Sequence, residues 1–412
     1  MSRRSRGVEA FESLRVPEYR LLWWSGVFSF MGVQMQFLLR GLLAWELTHR
    51  ESALGLVFVV FGVTMLLLTP FGGVAADRLS KRRLLIIGQA LLVCVSFGMG
   101  VVVLTDVAEF WMLLVAGAVQ ASMFGLTGPA RTSMANDLVG PELLGNAISL
   151  SMMSMSTTRI FAPSLAGLLA GVAFAGIGGA YVVAGVFSTW SLVLTWRLPE
   201  IEAVSRSTAS PMADIIDGFS YVASRPPLRR VVVSSTIVIM FGFNYIAFMP
   251  ALVEGDFGLG DGAVGLMSTA SSLGAVMISI PVAARANSSR VRLYAVGLGI
   301  AFGATVMLLS VAPTYAVAFL ITVFIGAGAT GFQTLANSIV ITSSDASHHG
   351  RVQSLMQLSF AGFGIVALPL GVTAEWIGLR PTIVIMGAVA LGATVCFALL
   401  DRRGEETASA TV

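Results

Sequence analysis

GGVAADRLSKRR, residues 72–83, interrupts two long apolar runs. Five charges fall in its last seven residues: Asp77, Arg78, Lys81, Arg82 and Arg83. Hydrocarbon does not accommodate charge at that density, so the stretch marks a short loop at a membrane face. The surrounding chain agrees. Of 412 residues, 56% are hydrophobic and 11% charged, against roughly a quarter charged in soluble domains; the mean hydropathy is +0.85. Apolar runs of about twenty residues, the span of a bilayer core, recur along the sequence. In lipid, runs of this length must be helices, because their backbone groups need internal partners.

Twelve spans are predicted, at 20–47, 52–75, 84–104, 108–138, 145–171, 176–196, 229–253, 261–284, 291–311, 314–341, 351–374 and 379–400. The first is too long for a signal-peptide core and no small-residue cleavage site follows it, so it is expected to stay. Cys94 and Cys396 both fall inside spans, which implies no disulfide framework.

Lysine and arginine fix an orientation. Arg3, Arg4, Arg6 and Arg15 precede the first span and Arg20 opens it, and the 72–83 loop adds four more cations. Arg197, Arg206, Arg225, Arg229 and Arg230, then Arg285, Arg290, Arg292, Arg351, Arg402 and Arg403, fall on the same side, leaving Arg50 and Arg380 opposite. The positive-inside rule makes both termini cytoplasmic, and twelve spans satisfy that. A polar stretch from Arg197 to Arg230 separates six spans from six, giving domains 1–200 and 229–412 joined by a linker, 201–228. Within it, Ser210-Pro211 and Asp214 form a helix start, and Ile215, Ile216, Phe219 and Val222 share one helical face. The segment is either an amphipathic surface helix or a disordered linker. Weak matches in preserved order, such as Ala53-Leu54-Gly55-Leu56 with Ala263-Val264-Gly265-Leu266 and Met134-Ala135-Asn136 with Leu335-Ala336-Asn337, support two repeated halves with a substrate site near mid-membrane where they meet.

Gly73-Val74-Ala75-Ala76-Asp77-Arg78 followed by Lys81-Arg82-Arg83 resembles the loop signature of the major facilitator superfamily, with Ser80 where the second glycine is usual. Gln34-Met35-Gln36, Arg40-Gly41, Trp45-Glu46-Leu47-Thr48, Gly128-Pro129-Ala130-Arg131, Arg159-Ile160-Phe161-Ala162-Pro163 and Gly350-Arg351-Val352 resemble its bacterial drug- and siderophore-exporter branch, which includes enterobactin and macrolide exporters. The resemblance implies an all-α membrane protein of twelve transmembrane helices in two pseudo-symmetric six-helix bundles. Two features depart from proton-driven drug exporters: Gly117 replaces a fourth-helix arginine, and Ala162-Pro163 replaces a Gly-Pro pair.

The same resemblance assigns gating to Asp77; Arg78, Arg82 and Arg351 are further gating candidates, and Arg131 and Asp137, near the inner end of the fourth helix, are expected to join Asp77 in a cytoplasmic charge cluster. Asp77 is expected beside the start of the eleventh helix, where a helix N-terminus stabilises a carboxylate, or else to cap only its own loop. Arg40 and Arg159 lie well inside spans, and no carboxylate is central. Two buried cations suit an anionic or acceptor-rich substrate, or they satisfy backbone carbonyls, Gln34, Gln36 or Glu46. Gln34, Gln36, Gln120, Asn244, Tyr245, Gln333 and Asn337 are substrate-binding candidates, each equally a helix–helix hydrogen-bonding group. Glu46 and Asp137 are the candidates for ion coupling. His348 and His349 flank the eleventh helix as pH sensors or solvated side chains.

The implied function is secondary active export of small amphipathic, drug- or siderophore-like compounds by alternating access, coupled to protons. The alternatives are uptake or facilitated transport of an anionic metabolite, and a membrane receptor or enzyme. Lys81 is the single lysine and there is no P-loop; zinc-protease and serine-hydrolase motifs are missing too. The expected setting is a monomer in the lipid bilayer of a bacterial inner membrane, with a small-molecule substrate and protons as partners and no nucleic acid, cofactor or metal.

Overall fold

The computed structural model describes residues 11–78, 80–172, 174–200, 211–285, 288–345 and 348–409; the side chains of 69–79, 129, 141, 211–215, 349–351, 353–354, 357–358 and 402–409 also lie outside the described residues. That places Ser210 and the side chains of Asp77, Arg78, Asp214, His349 and Arg351 beyond description. Every regular element among the described residues is helical.

In chain order the helices are α1 (Pro17–Thr48), α2 (Glu51–Arg78), α3 (Lys81–Leu104), α4 (Phe110–Ala170), α5 (Gly176–Trp196), α6 (Pro211–Ser224), α7 (Pro226–Ile237), α8 (Asp261–Arg285), α9 (Val291–Leu309), α10 (Tyr315–Thr342), α11 (His349–Ile377) and α12 (Leu379–Ser409). Among the described residues, eleven helical stretches are long and apolar enough to cross a membrane. The fifth predicted span, 145–171, is not one of them. Ser149, Ser151, Ser154, Ser156, Thr157, Thr158 and Arg159 dilute its hydropathy. It forms the limb of α4 beyond Gly140, whose φ of 76° breaks the helix; glycine adopts that conformation without a Cβ clash. The chain is an all-α, multi-pass membrane protein.

Ser80, standing where a loop glycine is usual, caps α3: its Oγ accepts from the Arg83 amide at 3.3 Å. Serine at this position satisfies one of the orphan donors at a helix start. The third span therefore begins with its cations inside the first turn instead of in the loop.

The chain divides into two compact units, one of Met1–Leu43 with Thr64–Pro211 and the other of Ala44–Val63 with Met212–Val412. In the first, α1 runs parallel to α3. Gln89 Nε2 donates to Ser29 Oγ at 2.9 Å and Gln36 Nε2 to Ser96 Oγ at 2.7 Å, so the same register repeats after seven residues, or two helical turns. Ser25 joins α1 to α5 through Thr195 at 2.8 Å, and Ser191 donates to the Ser25 carbonyl at 2.7 Å.

The second unit takes in the first half of α2, a segment that the division at 1–200, 201–228 and 229–412 counts with the first six spans. Its contact with α11 explains this. A Cβ on Gly55 would stand 2.5 Å from the Ala367 carbonyl oxygen, and one on Gly62 2.5 Å from that of Ala361; Gly364 and Gly371 of α11 face the Phe58 and Glu51 carbonyls as closely. The helices cross antiparallel with backbone against backbone, a packing that small residues permit in membranes. Phe58 and Phe363 pack edge-on at 5.7 Å, and Ser52 donates to Glu375 Oε1 from its amide at 3.2 Å and its hydroxyl at 2.5 Å.

Linker helix α6 forms. Val222 is buried in a core with Leu228, Leu335, Ile339, Val340 and Val352, whereas Ile216 and Phe219 of the predicted apolar face remain 61% and 58% exposed.

Gly55→Ala forces a Cβ into backbone and is expected to cost about 1–3 kcal/mol, the usual range for overpacking. Gly392, with open space around it, is the control: Gly392→Ala is expected to be neutral or to gain about 0.5–1 kcal/mol. Thermal unfolding in detergent measures both, and equal Tm values would show that the crossing tolerates a methyl group.

Candidate functional site

In the first unit the candidate polar groups form a seam along α1. Gln36 and Arg40 are one turn apart and both 1% exposed. Arg40 Nε donates to the Gln36 carbonyl at 3.4 Å, and its charge acts on the phenol of Tyr181 in α5. Tyr181 is itself 1% exposed, and its hydroxyl makes no hydrogen bond among the described residues. Gln120 of α4 is fully buried; its Nε2 donates to the Val33 carbonyl at 3.4 Å, and its Oε1 has no partner among the described residues. Gln34 and Arg159 are half-buried. The chain thus brings a cation, a phenol and amides onto helices lining one seam. Tyr181, Ser96 and Gln89 were missed from the sequence, although Gln89 and Ser96 repeat the seven-residue spacing of Ser29 and Gln36.

At the other end of this unit the charges of the 72–83 stretch meet partners. Lys81 pairs with Asp137, Arg82 donates to the Trp196 carbonyl, and Arg83 Nε lies 2.9 Å from Glu200 Oε1. Arg131 turns to α1 instead, donating to the Leu22 carbonyl at 3.1 Å and Ser25 Oγ at 3.4 Å. Asp137 is therefore held in an ion pair, while Arg131 braces α1 against α4.

In the second unit the seventh span is discontinuous. Beyond Ile237 the backbone winds into a π-turn at Val238–Gly242, a 3-10 turn at Phe243–Ile246 and a second π-turn at Ala251–Asp256. Such irregular turns inside helices mark functional positions. Asn244 and Tyr245 sit on the break. Asn244 Nδ2 donates to the Met240 carbonyl at 2.5 Å and the Phe363 carbonyl at 3.1 Å, its Oδ1 being buried and unpartnered among the described residues. Tyr245 shares a hydrogen bond with Ser271 at 3.2 Å. Gln333 and Asn337 lie half-buried on α10.

The second π-turn carries Glu254, and three acids collect around it. Burial, a hydrogen bond with Asp261, and the charges of Asp261 and Glu46 push the Glu254 carboxyl up to about 8. Glu46 thus gains acidic neighbours that sequence reading missed, because Glu254 and Asp261 flank a turn that looked like an ordinary loop. The nearby cation is engaged elsewhere: Arg380 Nε bonds Asp256 Oδ2 at 2.7 Å, and its Nη1 donates to the Ser310 and Ala312 carbonyls at 3.0 and 2.9 Å.

With buried polar seams in two helical units and a broken seventh span, the architecture is that of a solute carrier. A family model described as "Transmembrane secretion effector", of the major facilitator class, matches residues 8–411. The chain belongs to this family. It is 22% identical over 358 residues to the uncharacterized major facilitator-type transporter YfiS of Bacillus subtilis (strain 168), covering 84% of each chain. It is also 22% identical over 244 residues to the enterobactin exporter EntS of Shigella flexneri, covering 59% of this chain and 57% of that protein. A crystal structure of a variant of the nucleoside transporter NupG superposes with a TM-score of 0.72 at 12% identity, over 93% of this chain and 99% of that one; this likeness concerns the fold alone. The protein is a lipid-embedded secondary active transporter of a small molecule, working by alternating access, in a superfamily not known for catalysis.

The Glu254 shift has a sign that can be measured. Between the ordinary carboxylate value of about 4.3 and about 8, the folded chain holds a proton that the unfolded chain has lost. Stability therefore falls as pH rises through that window and levels off above it. Thermal unfolding from about pH 5 to pH 8 is expected to show a falling Tm in the natural protein and a shallower fall in Glu254→Gln. Parallel curves would remove Glu254 as the source.

Proposed function

We propose that the protein exports small amphipathic, acceptor-rich compounds, of drug or siderophore type, across a bacterial inner membrane at the expense of a proton gradient. The observation that carries this reading is Arg40: a cation 1% exposed, beside Tyr181, in a span with no carboxylate at its centre. A buried arginine offers charge-assisted, bidentate hydrogen bonds to carboxylate, catecholate or carbonyl oxygens. The likeness to an enterobactin exporter supports the same cargo class. Gln36, Gln120, Asn244, Tyr245, Gln333, Asn337, Gln34 and Arg159 are the further groups proposed to meet cargo.

Proton coupling is assigned to Glu254 together with Glu46, because a carboxyl that titrates near neutral pH loads and releases protons at physiological concentrations. Asp137, held by Lys81, serves gating in preference to coupling, with Arg82, Arg131 and the 72–83 loop acts on the same face through Asp77. On the predicted topology the glycine crossing of α2 with α11 lies on the outer side. Uptake of an anionic metabolite is the second reading; Arg40 favours an anion in either direction.

Comparison of the metabolites and dyes retained by energised cells with and without the protein tests the cargo class. Export predicts depletion of acceptor-rich amphipathic compounds, restored to control levels by Arg40→Gln. Accumulation in place of depletion would establish uptake. With the depleted compound in oriented vesicles, Glu254→Gln and Glu46→Gln are expected to abolish transport driven by a pH gradient while sparing counterflow. Full gradient-driven transport in both variants would overturn the coupling assignment.

A further inference from the structure

Asp217, Tyr221 and Arg225 follow one another at four-residue intervals, which places them along one face of α6 and its continuation. That face grips the segment between α10 and α11. Arg225 Nη2 bonds Asp345 Oδ2 at 2.6 Å, and the Asp345 amide donates to the Tyr221 hydroxyl at 2.8 Å. The Tyr221 and His348 rings stack with centroids 3.9 Å apart and planes 9° from parallel. The Arg225 guanidinium lies 4.2 Å from the Tyr221 ring centre, and Asp217 Oδ2 stands 3.7 Å from His348 Nε2. The bond from Arg225, then that from Tyr221, holds the Asp345 carboxyl below the usual carboxylate range. The acid therefore stays ionised at neutral pH, and the contact weakens only as pH falls through that lowered value.

These contacts have a mechanical setting. His348 stands at the N-cap position of α11, its side chain turned to α6 instead of capping the helix, so gripping it bears on where α11 begins. Val222, on the neighbouring face, is buried with Ile339 of α10 and Val352 of α11. A single residue, Arg225, separates α6 from α7. The helix is thus tied at its end and pinned along two faces, while its other end continues into the linker.

We infer that α6 is a latch on α11: Asp217, Tyr221 and Arg225 are positioning residues that hold Asp345 and His348, and through them set the placement of the helix whose far half makes the glycine crossing with α2. The linker acquires a role beyond joining two sets of spans. A displacement of the linker is transmitted to α11 through five side chains, without new contacts to cargo. The transporter assignment gives the latch its purpose, but the contact and its reach are tested without any cargo.

The test is hydrogen exchange on the full-length protein in lipid nanodiscs, comparing R225D, D345R, the double swap and Y221F. Each single reversal is expected to speed exchange at residues 343–355 about fivefold, the scale of a surface ion pair, with a smaller rise at 361–371 where α11 meets α2. The swap re-forms the pair in the opposite sense and is expected to return both regions to within about twofold of the natural protein. Y221F keeps the ring stack and is expected to speed the Asp345 amide alone, which decides the matter should the reversals fail to fold. Unchanged exchange in 343–355, a swap as fast as the single variants, an unaltered Asp345 amide in Y221F, or a change that stops short of 361–371 would each overturn the latch.

Discussion

The crossing of α2 and α11 is the contact on which the rest of the structure turns. Membrane helices have no hydrophobic drive toward each other, so they associate where backbones come close and dispersion contacts are dense. Gly55, Gly62, Gly364 and Gly371 supply that closeness over about three turns, with carbonyl oxygens where a Cβ would otherwise be. The consequence is visible in the division of the chain: Ala44–Val63 clusters with the second set of spans although covalently it belongs to the first. Glu46 is carried along with it, which is how an acid at the end of α1 comes to act on Glu254.

A second constraint is that polar groups in a water-poor interior need partners. The first unit meets it with side-chain pairs in register, Ser29 with Gln89 and Gln36 with Ser96, and with hydroxyls returned to carbonyls, as at Ser25 and Ser191. Charges are met at helix ends, by Lys81 with Asp137 and by Arg292 with Asp401. Against that background Gln120 Oε1 and Tyr181 Oη in the first unit, and Asn244 Oδ1 in the second, are buried without hydrogen bonds among the described residues.

Eleven of the twelve predicted spans, their helical nature and the linker helix were legible in the sequence because each rests on a local signal, an apolar run or a proline at a helix start; the fifth, rich in serine and threonine, is helical but falls short of a membrane-crossing stretch. The broken seventh span was not legible, since Val238–Gly242 is as apolar as its neighbours and a π-turn leaves no compositional trace, while the acids of Ala251–Asp256 read as the end of the span. Ser80 read as a defect in a glycine motif and proved to be a cap. Asp217, Tyr221 and Arg225 show their four-residue spacing plainly, but their partners lie more than a hundred residues away, and nothing in the chain announces Asp345 as one of them. The acids around Glu254 belong to the same class: Glu46 was visible as a lone carboxylate, and its company depends on the packing of α2.

The proposed proton coupling at Glu254 predicts that the α2–α11 crossing loosens when that carboxyl loses its proton. Pulsed electron-spin measurement of the distance between labels at residues 50 and 376, two exposed positions flanking that crossing, tests it directly once Cys94 and Cys396 are replaced. The account predicts a single short distance near pH 6 and a second, longer population near pH 9. One unchanged short distance at both pH values would contradict it.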